Sequence, residues 1–278
     1  MLALMTVNNT NYTVGCSDFM INLEELYVAS APVQFPSCCY ETVRSAHQQP
    51  MPYERYLTTL AKYGVLIISL AYADDGNTFR TIIEQIGFFH THNEKDSILW
   101  DIKVADKKKC DPYLGRSHTA SEFYLHTDCS YEVNIPDHFG LYVVQADRLD
   151  GGNNLIVDSK ELIPLLSTAS LQILQKYPVS IKVPQEFYKG IEAITAPIID
   201  HNFNIRYRRE IIEEEKLTIL QKSALHEFET LIYSKLLARR LTLHNNQILL
   251  LNNKCYLHAR TAIKDEKRHL QRIRFFLK

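Results

Sequence analysis

The order of apolar and polar positions divides the chain into many short segments. Val65-Leu66-Ile67-Ile68-Ser69-Leu70 is an apolar, β-branched run of strand length and predicts a buried strand. Comparable runs predict strands over 98–104, 139–145, 155–157, 247–251, 255–257 and 270–277, and near 179–184, 193–200 and 203–208. Helical spacing predicts helices over 53–63, stopped by Gly64, and over 78–86, stopped by Gly87. Shorter helices are expected near 159–166 and 168–177. Leu217, Leu220, Ala224, Leu225, Phe228, Leu231, Ile232 and Leu236 keep an i, i+3, i+4 rhythm, which predicts one long amphipathic helix over 213–240. Residues 31–52 are Pro-rich and read as an irregular surface loop, and 105–120 as a polar loop whose Lys107-Lys108-Lys109 run is solvated. Many short strands with few helices suit a mixed α+β, mainly β fold: a β-barrel or jelly roll with helices outside.

One of the predicted strands ends in chemistry. Ser121-Glu122-Phe123-Tyr124-Leu125-His126-Thr127-Asp128 places His126 and Asp128 two residues apart, hence on one face of a strand. An imidazole and a carboxylate on one face supply two corners of the 2-His-1-carboxylate triad of non-haem iron oxygenases. The spacing alone is weak. With 11 His and 32 acids in 278 residues, chance supplies roughly 1.3 His-x-acid matches. The chain holds a second match, His92-x-Glu94, but it lies in a polar run that reads as a solvated loop. Glu122 lies four residues before His126 and by the same period shares its face, where it would meet a cationic amine of a substrate.

Composition narrows the class. A hydrophobic content of 46% supports a sizeable core and argues against disorder. A net charge of -1 offers no basic footprint for nucleic acid. No apolar run approaches the length of a membrane span, and the first residues lack the features of a secretory signal. Cys16, Cys38, Cys39, Cys110, Cys129 and Cys255 form no C-x-x-C pair, which fits thiols in a reducing cytoplasm. A single domain over 1–278 is expected, with 1–52 as an N-terminal extension packed on the barrel. A small-molecule partner is expected, with no nucleic acid or membrane; a homo-oligomer is compatible with the sequence.

The third ligand must come from elsewhere. His258 ends the short strand 255–257, and Arg268, Leu270, Arg272 and Arg274 then alternate along the last strand. Several arginines facing into a barrel are costly unless they meet anions, so an anionic substrate or cosubstrate would answer them. The alternative is an edge strand with its arginines in water.

These residues resemble the TauD/TfdA (taurine dioxygenase-like, clavaminate synthase-like) family of Fe(II)/2-oxoglutarate-dependent dioxygenases. The resemblance spans roughly residues 55–278. It rests on Phe123-Tyr124-Leu125-His126-Thr127-Asp128, then Asp150-Gly151-Gly152-Asn153-Asn154, then Leu251-Asn252-Asn253 through Arg274, in that order. It implies a double-stranded β-helix (jelly roll, cupin-like) core with flanking helices, and iron held by His126, Asp128 and His258. It implies that Arg268 binds the distal carboxylate of 2-oxoglutarate and that Arg272 contacts a substrate acid or helps hold the cosubstrate. Asn154 stands where the family usually has a threonine touching 2-oxoglutarate, and its amide can still donate. Ala259 replaces the family's glycine after the distal histidine, and Asn252 its usual acid. The implied activity is oxidation, foremost hydroxylation, of a small carboxylate or amino-acid-like molecule with O2, releasing succinate and CO2. Desaturation or another oxidative outcome at the same centre, a Zn hydrolase, and an inactive jelly-roll binding protein are the alternatives.

Overall fold

Gly64 joins the first predicted helix to the first predicted strand. It closes the helix α2 (Tyr53–Tyr63) in the left-handed region, φ 70°, where a glycine is least strained. The structure, a computed structural model, describes residues 21–45, 50–91, 97–105 and 115–278. His92 and Glu94, the Lys107–Lys109 run, Cys16, Cys110 and the first part of the expected N-terminal extension lie outside the described residues.

The described residues build mostly sheet. One five-stranded sheet runs β1 (Ala31–Pro32), β11 (Arg239–Leu241), β8 (Asn154–Asp158), β13 (Tyr256–Arg260), β6 (Phe123–His126). A larger, seven-stranded sheet runs β2 (Tyr40–Val43), β3 (Val65–Leu70), β12 (Gln247–Asn252), β7 (His138–Gln145), β14 (His269–Leu277), β4 (Gly87–His90). In it β5 (Trp100–Lys103) pairs with the first half of β14. A separate hairpin joins β9 (Val179–Lys182) to β10 (Ala193–Ala196). The helices are α1 (Leu23–Ala29), α2, α3 (Asn77–Ile86), α4 (Ser159–Leu162), α5 (Thr168–Lys176) and α6 (Ile219–Ile232).

Three apolar layers follow from the strand period. Phe139, Leu249 and Leu251 of the larger sheet meet Ile156, Leu241 and Tyr256 of the smaller one, so the two sheets pack face to face. The outer face of the larger sheet (Ile68, Tyr142, Leu250, Ile273, Phe275) is covered by α2 and α3. Phe79, Ile82, Ile83 and Ile86 of α3 are fully buried there, each contributing about 1.5–3 kcal/mol over an exposed position. The outer face of the smaller sheet (Leu125, Leu155, Val157, Leu257) is covered by α5 and α6.

Three expectations need correction. The 213–240 helix is only α6, because the Thr218–Gln221 capping box starts it late and the chain leaves it at Tyr233. Leu220 and Leu236, both in the predicted stripe, are exposed. Residues 203–208 form no strand; they make isolated bridges, Ile199 to Ile205 and His126 to Arg208. Residues 31–52 are not all loop, since Tyr40–Val43 adds a parallel strand beside β3.

Candidate active site

The site forms where the inner faces of the two sheets meet. His126 of β6 and His258 of β13 are direct register partners, so both imidazoles leave the smaller sheet side by side. Their ring centroids lie 4.2 Å apart. Asp128, two residues past β6, turns its Oδ1 to both: 3.6 Å from His126 Nε2 and 3.7 Å from His258 Nε2. The three residues bring one ligating atom each within 4.8 Å of one another.

Local bonds fix how these groups are presented. His126 Nδ1–H donates to the Tyr124 carbonyl at 2.8 Å, which leaves Nε2 with its lone pair toward the cluster. Burial, then the neighbouring His258 ring, pushes the His126 pKa down to about 4, so its imidazole is neutral at pH 7. Burial alone would raise Asp128, but the Arg272 and Arg274 guanidiniums and both imidazoles hold its carboxyl well below the usual range. Arg274 Nε donates to Asp128 Oδ2 at 2.8 Å and Arg272 Nη1 approaches the same oxygen at 3.3 Å. Arg272 Nη1 also donates to Oδ1, the oxygen that faces the histidines, at 3.5 Å, so Arg274 grips one carboxylate oxygen and Arg272 lies across both. Two imidazole nitrogens and one ionised carboxylate oxygen are a donor set that fits Fe(II).

Asn253 completes the support. Its Oδ1 accepts from Asp128 N–H (2.7 Å), and its Nδ2 donates to the Asp128 and Pro136 carbonyls (2.9 and 3.1 Å). The sequence alone assigns it no role of its own. Phe123 stacks on the His126 ring at 3.7 Å and Phe139 tilts against His258 at 4.5 Å, walling both imidazoles with apolar surface.

A small cleft, open to solvent, lies beside Asp128. Arg116, Arg208, Arg272, Arg274, Phe187 and Glu186 are among its lining residues. Phe187 stacks between Trp100 (6.0 Å) and Tyr131 (4.8 Å). Arg272 and Arg274 reach the cavity over the Trp100 ring, 5.6 and 5.1 Å from its centroid. Arg208 and Arg116 share Glu210, at 2.9 and 3.5 Å.

Glu122 is not where the strand period put it. The β6–β13 register shifts between the His126/His258 and Phe123/Arg260 pairs. This bulge turns Phe123, not Glu122, toward His126. Glu122 instead meets the Tyr124 hydroxyl, and it is absent from the cavity lining. Arg268 precedes β14 beside the Gly151–Gly152 turn, where a Cβ on Gly152 would lie 2.7 Å from its Nε. Burial pulls its pKa down to about 10. Asn154 lies opposite Arg260 in register, and its Nδ2 makes a long 3.5 Å bond to the Leu241 carbonyl. A second grouping, His90, Cys129 and Glu132, also brings ligating atoms within 4.8 Å. There His90 Nε2 bonds Glu132 Oε2 at 2.7 Å, burial pushes the Cys129 thiol up to about 12, and Arg274 stands in register opposite His90. A thiol kept protonated by burial is a poor ligand, which makes this grouping the weaker metal site.

Comparison with known proteins places this geometry. The model of the family described as "Taurine catabolism dioxygenase TauD, TfdA family" matches residues 46–274. No curated protein matches the chain in sequence. Among solved structures, an asparagine oxygenase in complex with Fe(II), 3-hydroxyasparagine and succinate superposes with a TM-score of 0.67 at 17% identity, covering 83% of this chain and 81% of that one. The non-haem iron oxygenase OrfP, in complex with Fe and alpha-ketoglutaric acid, gives 0.66 at 14% identity, over 82% and 80%. The PvcB protein from Pseudomonas aeruginosa gives 0.62 at 14%, over 85% and 86%. At these identities the likeness is one of fold.

Proposed function

The chain belongs to the TauD, TfdA family of dioxygenases, enzymes dependent on Fe(II), 2-oxoglutarate and O2, and on that premise we propose that it hydroxylates a small amino-acid-like carboxylate. The two packed sheets are read as the double-stranded β-helix of one domain. His126, Asp128 and His258 would hold the iron. The observation that carries the reading is the convergence of their three ligating atoms within 4.8 Å beside buried arginines. When bound, iron and 2-oxoglutarate would supply, with O2 as the oxidant, oxidative decarboxylation to succinate and CO2 coupled to oxidation of a substrate C–H bond.

The chain's own residues bind, orient and exclude water. Arg268, with no side-chain hydrogen bond or ion pair among the described residues, anchors the distal carboxylate of 2-oxoglutarate. Arg272 keeps a buried Nε–H without an acceptor among the described residues, and that donor suits a substrate acid group. Glu186 lines the cavity and takes the part of amine partner in place of Glu122. Phe187, between Trp100 and Tyr131, shields the reacting centre from water.

Support for an amino-acid-like substrate comes from the structural relatives, whose complexes contain hydroxyasparagine or hydroxyarginine. The test is a screen of free amino acids, amine-blocked forms and simple carboxylates against anaerobically loaded protein, scored by succinate released on adding air. Free amino acids are expected to stimulate turnover most. Stimulation only by compounds without an acid group removes the Arg272 role, and equal turnover of amine-blocked forms removes that of Glu186.

A further inference from the structure

Arg260 lies two residues beyond His258 on β13, so both side chains leave the strand on the same face. It is buried. Its Nη2 donates to the Thr119 and Ser121 carbonyls at 3.1 and 2.8 Å. Its Nη1 is also buried, and has no acceptor among the described residues. The charges that act on it are of its own sign, Arg268 first and Arg116 second. Arg268 is equally buried. The acid that acts on Arg268 is Asp147, whose carboxylate already accepts from the backbone N–H groups of Leu149, Lys264 and Asp265. Two buried guanidiniums in mutual repulsion, with no carboxylate bonded to either among the described residues, carry a charge that an anion would offset.

We propose that Arg260 is a second anchor for the distal carboxylate of 2-oxoglutarate, binding it through Nη1 opposite Arg268. The proposal rests on the family reading of the cosubstrate and adds a second guanidinium to its grip. It also gives a reason for Asn154. That residue faces Arg260 across the β8–β13 ladder, so a residue other than threonine there leaves the carboxylate with two cationic donors. The consequence is selectivity. 2-Oxo acids that lack the distal carboxylate leave both guanidiniums unanswered, and the protein should reject them strongly.

The test is a ligand cycle. 2-Oxoglutarate and 2-oxovalerate, which has a methyl in place of the distal carboxylate, are titrated calorimetrically into anaerobic Fe(II)-loaded protein. Arg260→Gln is expected to weaken 2-oxoglutarate by roughly tenfold or more while leaving 2-oxovalerate within about twofold. Arg260→Lys should fall between, because an ammonium keeps the charge but not the fork. Equal losses for the two ligands would mean that Arg260 only fastens the Thr119–Ser121 segment, and would overturn the proposal, as would an unchanged 2-oxoglutarate affinity. If Arg260→Gln does not fold, Arg260→Lys decides alone: its loss must be larger for 2-oxoglutarate than for 2-oxovalerate. Failure of the wild type to bind 2-oxoglutarate overturns the family reading together with the proposal. Failure seen only in the comparison of variants overturns the proposal alone.

Discussion

Asp128 is gripped by side chain and by backbone, and the two grips fail differently. Arg274 and Arg272 hold its carboxylate, whereas Asn253 holds its peptide groups from the turn between β12 and β13. Asn253 is fully buried, so Asn253→Ala strands an N–H and two carbonyls, each costing about 1–3 kcal/mol. The variant is expected to show a lower thermal midpoint and weaker metal binding together; metal affinity unchanged in a folded Asn253→Ala protein would show that the backbone clamp does not position the ligand. His138 makes a different prediction. Its two ring nitrogens are buried without partners among the described residues, and burial, with Lys254 opposing the charge and Asp137 favouring it, pushes its pKa down to about 4. The unfolded chain, with an ordinary value near 6.5, takes up this proton first as pH falls. Neutral His138 therefore contributes stability that is complete above about pH 6.5 and lost toward pH 4, up to about 3 kcal/mol. His138→Phe, which keeps the stack on Phe275, should flatten the stability profile of metal-free protein over that window, as read by urea unfolding at several pH values. An unaltered slope would remove His138 as the acid-sensitive group.

At the scale of elements, the turn between β7 and β8 positions Arg268, the proposed cosubstrate anchor. Gly152 has φ +61°, and a Cβ there would meet Arg268 Nε at 2.7 Å. Gly152→Ala is expected to displace the guanidinium and weaken 2-oxoglutarate while metal affinity holds. Gly190→Ala is the control: φ is +86°, but nothing lies within 4 Å, so it carries backbone strain alone. Equal 2-oxoglutarate affinity in both variants would contradict the placement of Arg268. This turn was legible in the sequence as Asp150-Gly151-Gly152, because a tight turn writes its glycines into the chain. The β6 bulge was not. Strict alternation assigns Glu122 to the His126 face, and the register shift that gives the place to Phe123 depends on pairing with a strand 130 residues later. The end of α6 was similarly hidden, since its apolar rhythm runs on past Tyr233 although the backbone does not.

At the scale of the molecule, two packed sheets bring residues from distant parts of the chain to one end of their shared interior. His126 and Asp128 could be read from a single strand, and His258 only with the arginine strand that follows it. Arg260 and Asn253 could not be picked out, since each works through contacts with segments more than 100 residues away. Among the described residues Arg260, Arg268, Arg272 and Arg274 are buried, and of these Arg272 and Arg274 meet the carboxylate of Asp128. That excess of buried cations suits a dianionic cosubstrate and the acid-bearing substrate proposed above. All of this depends on the triad holding the metal, and anaerobic Fe(II) titration of the wild type beside His126→Ala, Asp128→Ala and His258→Ala tests it most directly. The account predicts one Fe(II) per wild-type chain and loss of stoichiometric binding in each folded variant. One equivalent bound with unchanged affinity in any of the three would contradict it.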